Sequence, residues 1–87
     1  MTITTKNLKT RKWQYGDGYA MIGRIEVLKS KVRIGVVHHC THYNMDGTID
    51  CEYFDPCDPK EKAVTVDFLI QRKVSLKECV DFLVRMQ

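Results

Sequence analysis

The chain is 87 residues long, 44% hydrophobic and 29% charged, an ordinary soluble-globular composition that indicates one small domain over residues 1–87. No apolar run approaches the ~18–20 residues needed to span a bilayer. The opening Met1-Thr2-Ile3-Thr4-Thr5-Lys6 has no apolar signal-peptide core, so a cytoplasmic setting with reduced cysteines is expected and a membrane partner is not. The net charge of +3 is unevenly spread: residues 1–43 hold eight Lys/Arg against two acids, and residues 44–87 hold six against nine. A basic first half suits polyanions, whereas the acidic second half suits a basic protein surface.

In chain order, Leu8–Tyr15 followed by Gly16-Asp17-Gly18 forms either a strand that pairs with Tyr19 onward or, over residues 1–12, a flexible basic arm. Tyr19–Leu28 alternates, with Met21, Ile25 and Val27 on one side and Arg24 and Glu26 on the other. Lys31–His38 alternates in the same way, with Val32, Ile34 and Val36 as its apolar face. A two-residue Lys29-Ser30 loop would set Val27 against Val32, Ile25 against Ile34, Gly23 against Val36 and Met21 against His38. The same register puts Glu26 across from Arg33 as an ion pair.

Asp46-Gly47 has the composition of a type I′ turn, which would oppose His42 to Cys51, Cys40 to Tyr53 and Asn44 to Ile49. With a side-chain period of two, His38, Cys40 and His42 continue the apolar face, while His39, Thr41 and Tyr43 lie outside with Asp50, Glu52 and Phe54. After a short turn at Pro59, the β-branched alternation of Ala63–Ile70 favours a strand over the helix that Asp58-Pro59 would start. Ser75-Leu-Lys-Glu78 is a capping box, and Leu76, Cys79, Val80, Leu83 and Met86 make a helical stripe. The predicted fold is α+β: an antiparallel β-meander of three to five strands with a C-terminal α-helix packed on one face.

Three groups of residues carry candidate chemistry. Cations and rings interleave at Lys9, Arg11, Lys12, Trp13 and Tyr15, with Arg24 and Arg33 on the next hairpin, the ingredients of nucleic-acid binding on a sheet. Val37, His39, Tyr43, Asp50, Glu52 and Phe54 form an alternative protein-binding face on the second hairpin. Cys40, His42, Cys51 and Cys57 are a minority metal set, a site for structural zinc, but their spacing lacks paired Cys-x2-Cys knuckles and no cofactor is expected. No P-loop, dinucleotide fingerprint or metalloprotease motif is present, and no nucleophile aligns with His39, so neither an enzyme nor a small-molecule substrate is expected. The first expectation is a small binding protein that docks its basic and aromatic surface on nucleic acid or a nucleic-acid-handling complex. The alternative is a stoichiometric inhibitor or adaptor, such as a virus-encoded inhibitor of a host defence or transcription complex, acting through an exposed sheet face.

Overall fold

Four long strands follow one another as neighbours: β1 (Ile3–Tyr15), β2 (Gly18–Lys29), β3 (Val32–Asn44) and β4 (Ile49–Cys57). They form one antiparallel sheet in the order β1-β2-β3-β4, and helix α1 (Leu76–Arg85) packs on one of its faces. The computed structural model describes residues 2–62 and 75–86, so the strand expected over Ala63–Ile70 lies outside the described residues. The basic segment from Ile3 through Lys12 is strand, paired with β2 along its length apart from a bulge between Leu8 and Arg11.

The helix forms where the capping box places it. Ser75 is extended, and its hydroxyl accepts the Glu78 N–H at 3.2 Å. Cys79 and Leu83 are buried, with Leu76, Val80 and Val84 packed around them. Val84 replaces Met86 in the expected stripe, because Met86 follows the last helical turn and is 52% exposed.

The β2–β3 register differs from the expected one, and the turn explains the difference. Ser30 and Lys31 are the two loop residues, with φ of 50° and 71°, so Lys29 pairs with Val32. Positive φ at both central positions is the type I′ geometry whose twist matches the strands. The pairing then slips by one: Leu28 meets Arg33, but Val27 meets Gly35. Ile34 is the extra residue of a β-bulge, and from there Ile25 opposes Val37 and Gly23 opposes His39. This overturns the expected pairs Val27–Val32, Ile25–Ile34, Gly23–Val36 and Met21–His38. The Glu26–Arg33 ion pair survives the slip, with Arg33 Nε donating to Glu26 Oε2 at 2.5 Å.

The slip also reverses which face is covered. The helix-side core is Val27, Ile34, Val37, Cys79 and Leu83, with Ile3, Ile25 and Phe54 packed against it. His38, Cys40 and His42 therefore lie on the face opposite the helix, and Val37 and Phe54 lie beneath it. Gly35 makes the close crossing possible. A Cβ there would stand 2.8 Å from the Leu83 methyls and 2.6 Å from the Cys57 carbonyl oxygen.

The β3–β4 connection departs by one residue as well. Gly47 N–H donates to the Asn44 carbonyl at 3.0 Å, and only Gly47 has positive φ, at 89°. This is a turn closed by a glycine bulge in place of a type I′ pair. Thr48 donates to Asp46 Oδ1 through its N–H at 2.9 Å and its hydroxyl at 2.6 Å. Tyr43 thus pairs with Ile49, while the expected His42–Cys51 and Cys40–Tyr53 pairs hold.

Candidate nucleic-acid interface

The sheet face opposite the helix carries two side-chain clusters. The first lies at the open end of the sheet. Tyr15 projects from the last position of β1, opposite Gly18, and Trp13 stands opposite Ala20. Because β2 offers only these two small residues between β1 and β3, the Tyr15 ring reaches across it to His42 on β3. The Tyr15 hydroxyl and His42 Nδ1 share a hydrogen bond of 3.3 Å, and His42 Nε2 and the Tyr53 hydroxyl share one of 3.1 Å. A neutral imidazole has one donor and one acceptor nitrogen, so one phenol donates and the other accepts. Trp13 sits 5.2 Å from Tyr15 between ring centroids and is 58% exposed. Four rings from β1, β3 and β4 thus run in a row, the last three tied by hydrogen bonds.

The second cluster is built by the turn after β4. Asp58 caps that turn, its carboxylate accepting the N–H groups of Lys60 at 2.8 Å and Lys62 at 2.9 Å. Glu61 takes a positive φ of 65°, and its side chain returns to the sheet. There its carboxylate accepts Arg24 Nε at 2.8 Å, a second close contact from the other arm of the Arg24 guanidinium, and His38 Nε2 at 3.1 Å. Arg24 and Glu61 keep only 14% and 13% of their side-chain surface. The Arg24 hydrogen bond, aided by His38 and by the nearby Arg11 charge, holds the Glu61 carboxyl down at about 2. Sequence reasoning missed Glu61 because nothing local marks a turn residue as the partner of a strand arginine.

These clusters sort the expected nucleic-acid residues. Lys9, Arg11, Lys12 and Trp13 are exposed on β1, and Tyr15 is half-buried. Arg11 and Trp13 share the ring-bearing face, whereas Lys12 lies on the helix side with its ammonium 4.7 Å from the Tyr19 ring centre. Arg24 and Arg33 are neutralised locally by Glu61 and Glu26, and Arg33 also donates to the Pro59 carbonyl at 3.2 Å. Of the four cations on β1, a strand with no acid, Lys6 and Arg11 fall on this face.

The alternative protein-binding set is divided. Val37 is fully buried, and Phe54, stacked on His39 at 4.3 Å, packs against the helix-side core; neither is part of an outer face. The physical reason is the bulge at Ile34, which turns this stretch of the odd-numbered side toward the helix. Asp50 and Glu52 are exposed, His39 Nε2 lies 3.4 Å from Glu52 Oε2, and Tyr43 stacks on Tyr19 at 5.0 Å.

Cys40, His42 and Cys51 also sit on the ring-bearing face, not under the helix as expected, and Cys57 lies beside it. Among the described residues no three His, Cys, Asp or Glu side chains group as metal ligands. Both His42 nitrogens are already hydrogen-bonded. Burial, with Asp55 and Cys40 nearby, pushes the Cys57 thiol up to about 12, far from the thiolate that binds zinc. Cys51 is exposed while Cys40, Cys57 and Cys79 are buried. Alkylation of the native protein near pH 8 is therefore expected to label Cys51 first, the other three reacting only on unfolding; equal labelling of all four by mass spectrometry would contradict this packing.

His42 and Tyr53 are the residues of the ring row that sequence patterning did not assign to this site. Their signal was present, since Tyr53 opposite Cys40 is a diagonal neighbour of His42, but it was read for the wrong face. Among the described residues no helix is long and apolar enough to cross a membrane. No protein-family model matches this chain, and it matches no curated protein and no solved structure.

Proposed function

We propose that this protein binds nucleic acid, or a nucleic-acid-handling complex, through β1 and the ring-bearing sheet face. One observation carries the proposal: an exposed tryptophan beside Tyr15, on a strand with four cations and no acid. Lys6, Lys9 and Arg11 supply charge for phosphates, and Trp13 and Tyr15 supply faces for bases. With Arg24 and Arg33 paired internally, the expected contact set narrows to β1.

A salt titration against a labelled oligonucleotide tests this. Log affinity should fall linearly with log salt, with a slope of about −0.7 per phosphate neutralised on single strands. An Arg11→Ala variant should reduce that slope by about 0.7. Because Trp13 is the sole tryptophan, its fluorescence reports binding directly. Absence of binding at low salt would refute the proposal. It would promote a protein partner, for which Tyr43 stacked on Tyr19 and the exposed Met45 and Ile49 at the same end of the sheet are the supporting surface.

A further inference from the structure

We infer that the ligand of this face is single-stranded, and that its bases lie across the sheet on Trp13, Tyr15, His42 and Tyr53 instead of following β1 alone. The inference rests on the nucleic-acid reading above and adds the strandedness of the ligand and two binding residues, His42 and Tyr53.

Shape is the first ground. Neighbouring strands stand ~4.8 Å apart, so β1 and β4 are separated by about 14 Å before side chains are added. The major groove of a duplex is only about 12 Å wide and admits one helix or a two-stranded ribbon. A duplex can therefore offer this four-stranded face its phosphates alone, and its stacked bases stay out of reach of the rings. Splayed bases of a single strand do reach them, and stacking tolerates any sequence because every base has a π-face.

Preorganisation is the second ground. The three half-buried rings are tied through the two His42 hydrogen bonds, at 3.3 and 3.1 Å, and Ala20 beneath the row is 1% exposed. Rings held in place before binding lose little freedom on binding, which favours affinity. Charge is the third. Lys6 and Arg11 stand on this face at the β1 end, while Asp55 lies on the same face at the β4 end and Glu61 is engaged by Arg24. Phosphates are thus drawn to β1, and the β4 end is left for bases. The same β1 cations disfavour a second copy of this chain as occupant.

The test compares single-stranded DNA, single-stranded RNA and duplex DNA, each roughly 12 nucleotides long, by Trp13 fluorescence with the full chain. Either single strand is expected to bind at least about tenfold tighter than the duplex, since each stacked base contributes about 5- to 150-fold. Tyr53→Leu should weaken single-strand binding by about fivefold or more, with residual duplex binding unchanged, whereas Tyr53→Phe, which keeps the ring, stays within about threefold. Photo-crosslinking of an iodouracil-bearing single strand to the unaltered protein gives a readout independent of variant folding. Adducts at both Tyr53 and Trp13 support the inference. Equal affinity for duplex and single strands, or adducts confined to β1, would overturn it while leaving the nucleic-acid reading intact. No binding to any of the three would sink that reading itself.

Discussion

Leu83→Ala is expected to lower the unfolding free energy by about 2–5 kcal/mol, the range for opening a cavity at a fully buried leucine. Leu83 is 2% exposed and its methyls lie over Gly35, where helix and sheet approach most closely. Sheet on one side and Cys79 on the other leave little room for the site to collapse, so most of the cavity should persist. A domain of this size has about 5–10 kcal/mol of stability in all, so thermal unfolding should shift down by about 10 °C or more. Leu83→Met, which nearly conserves volume, should cost less than about 1.5 kcal/mol. Met86→Ala, at a position 52% exposed, should change stability by no more than about 0.5 kcal/mol. An unchanged melting temperature in Leu83→Ala would mean that the helix is not docked through this residue.

Acid should loosen the turn after β4 through the Glu61 carboxyl. Glu61 has an ordinary value of 4.5 and is held at about 2 in the folded protein by Arg24, His38 and Arg11. A carboxyl lowered on folding stabilises the fold fully above its unfolded value, and that contribution drains away as pH falls. The window is therefore from about 4.5 down to about 2. Glu61→Gln keeps the shape but removes the charge, leaving the Arg24 guanidinium shielded without its anion. A loss of about 1–3 kcal/mol at neutral pH is expected, in line with charged hydrogen bonds. The variant should also show a shallower decline of stability across the acid window than the parent. Parallel acid-unfolding curves for parent and variant would show that Glu61 does not carry the linkage.

Much of the architecture was legible in local chemistry. Alternation marked the strands, Asp46-Gly47 marked the second reversal, and Ser75 with Glu78 marked the helix start. The face assignment was not legible, because it hung on one residue. Ser30 and Lys31 take positive φ although neither is glycine or asparagine, so no turn residue marked the reversal, and matching the two alternating faces placed the loop one position early. The bulge at Ile34 then broke strict alternation, and the inferences from parity in β3 beyond Ile34 changed face. Gly35 was the available clue, since a glycine inside an apolar strand marks a close crossing. At the candidate site, Arg11, Trp13 and Tyr15 were readable from composition. The Glu61–Arg24 pair was not, because its partners are far apart in sequence and meet only when the turn folds back.

Among the described residues the outer edge of β1 has no strand beside it, and it runs the length of a 13-residue strand. Such an edge is a template for pairing with another polypeptide, and lysines along it are a common defence. Lys6, Lys9, Arg11 and Lys12 disfavour such pairing between copies by mutual repulsion. Any polyanion that neutralises them also disarms that repulsion. Under the proposed nucleic-acid reading, ligand occupancy and resistance to edge pairing draw on the same charges, so saturation with a polyanion, at high protein concentration, is the condition under which edge-to-edge aggregation is least opposed.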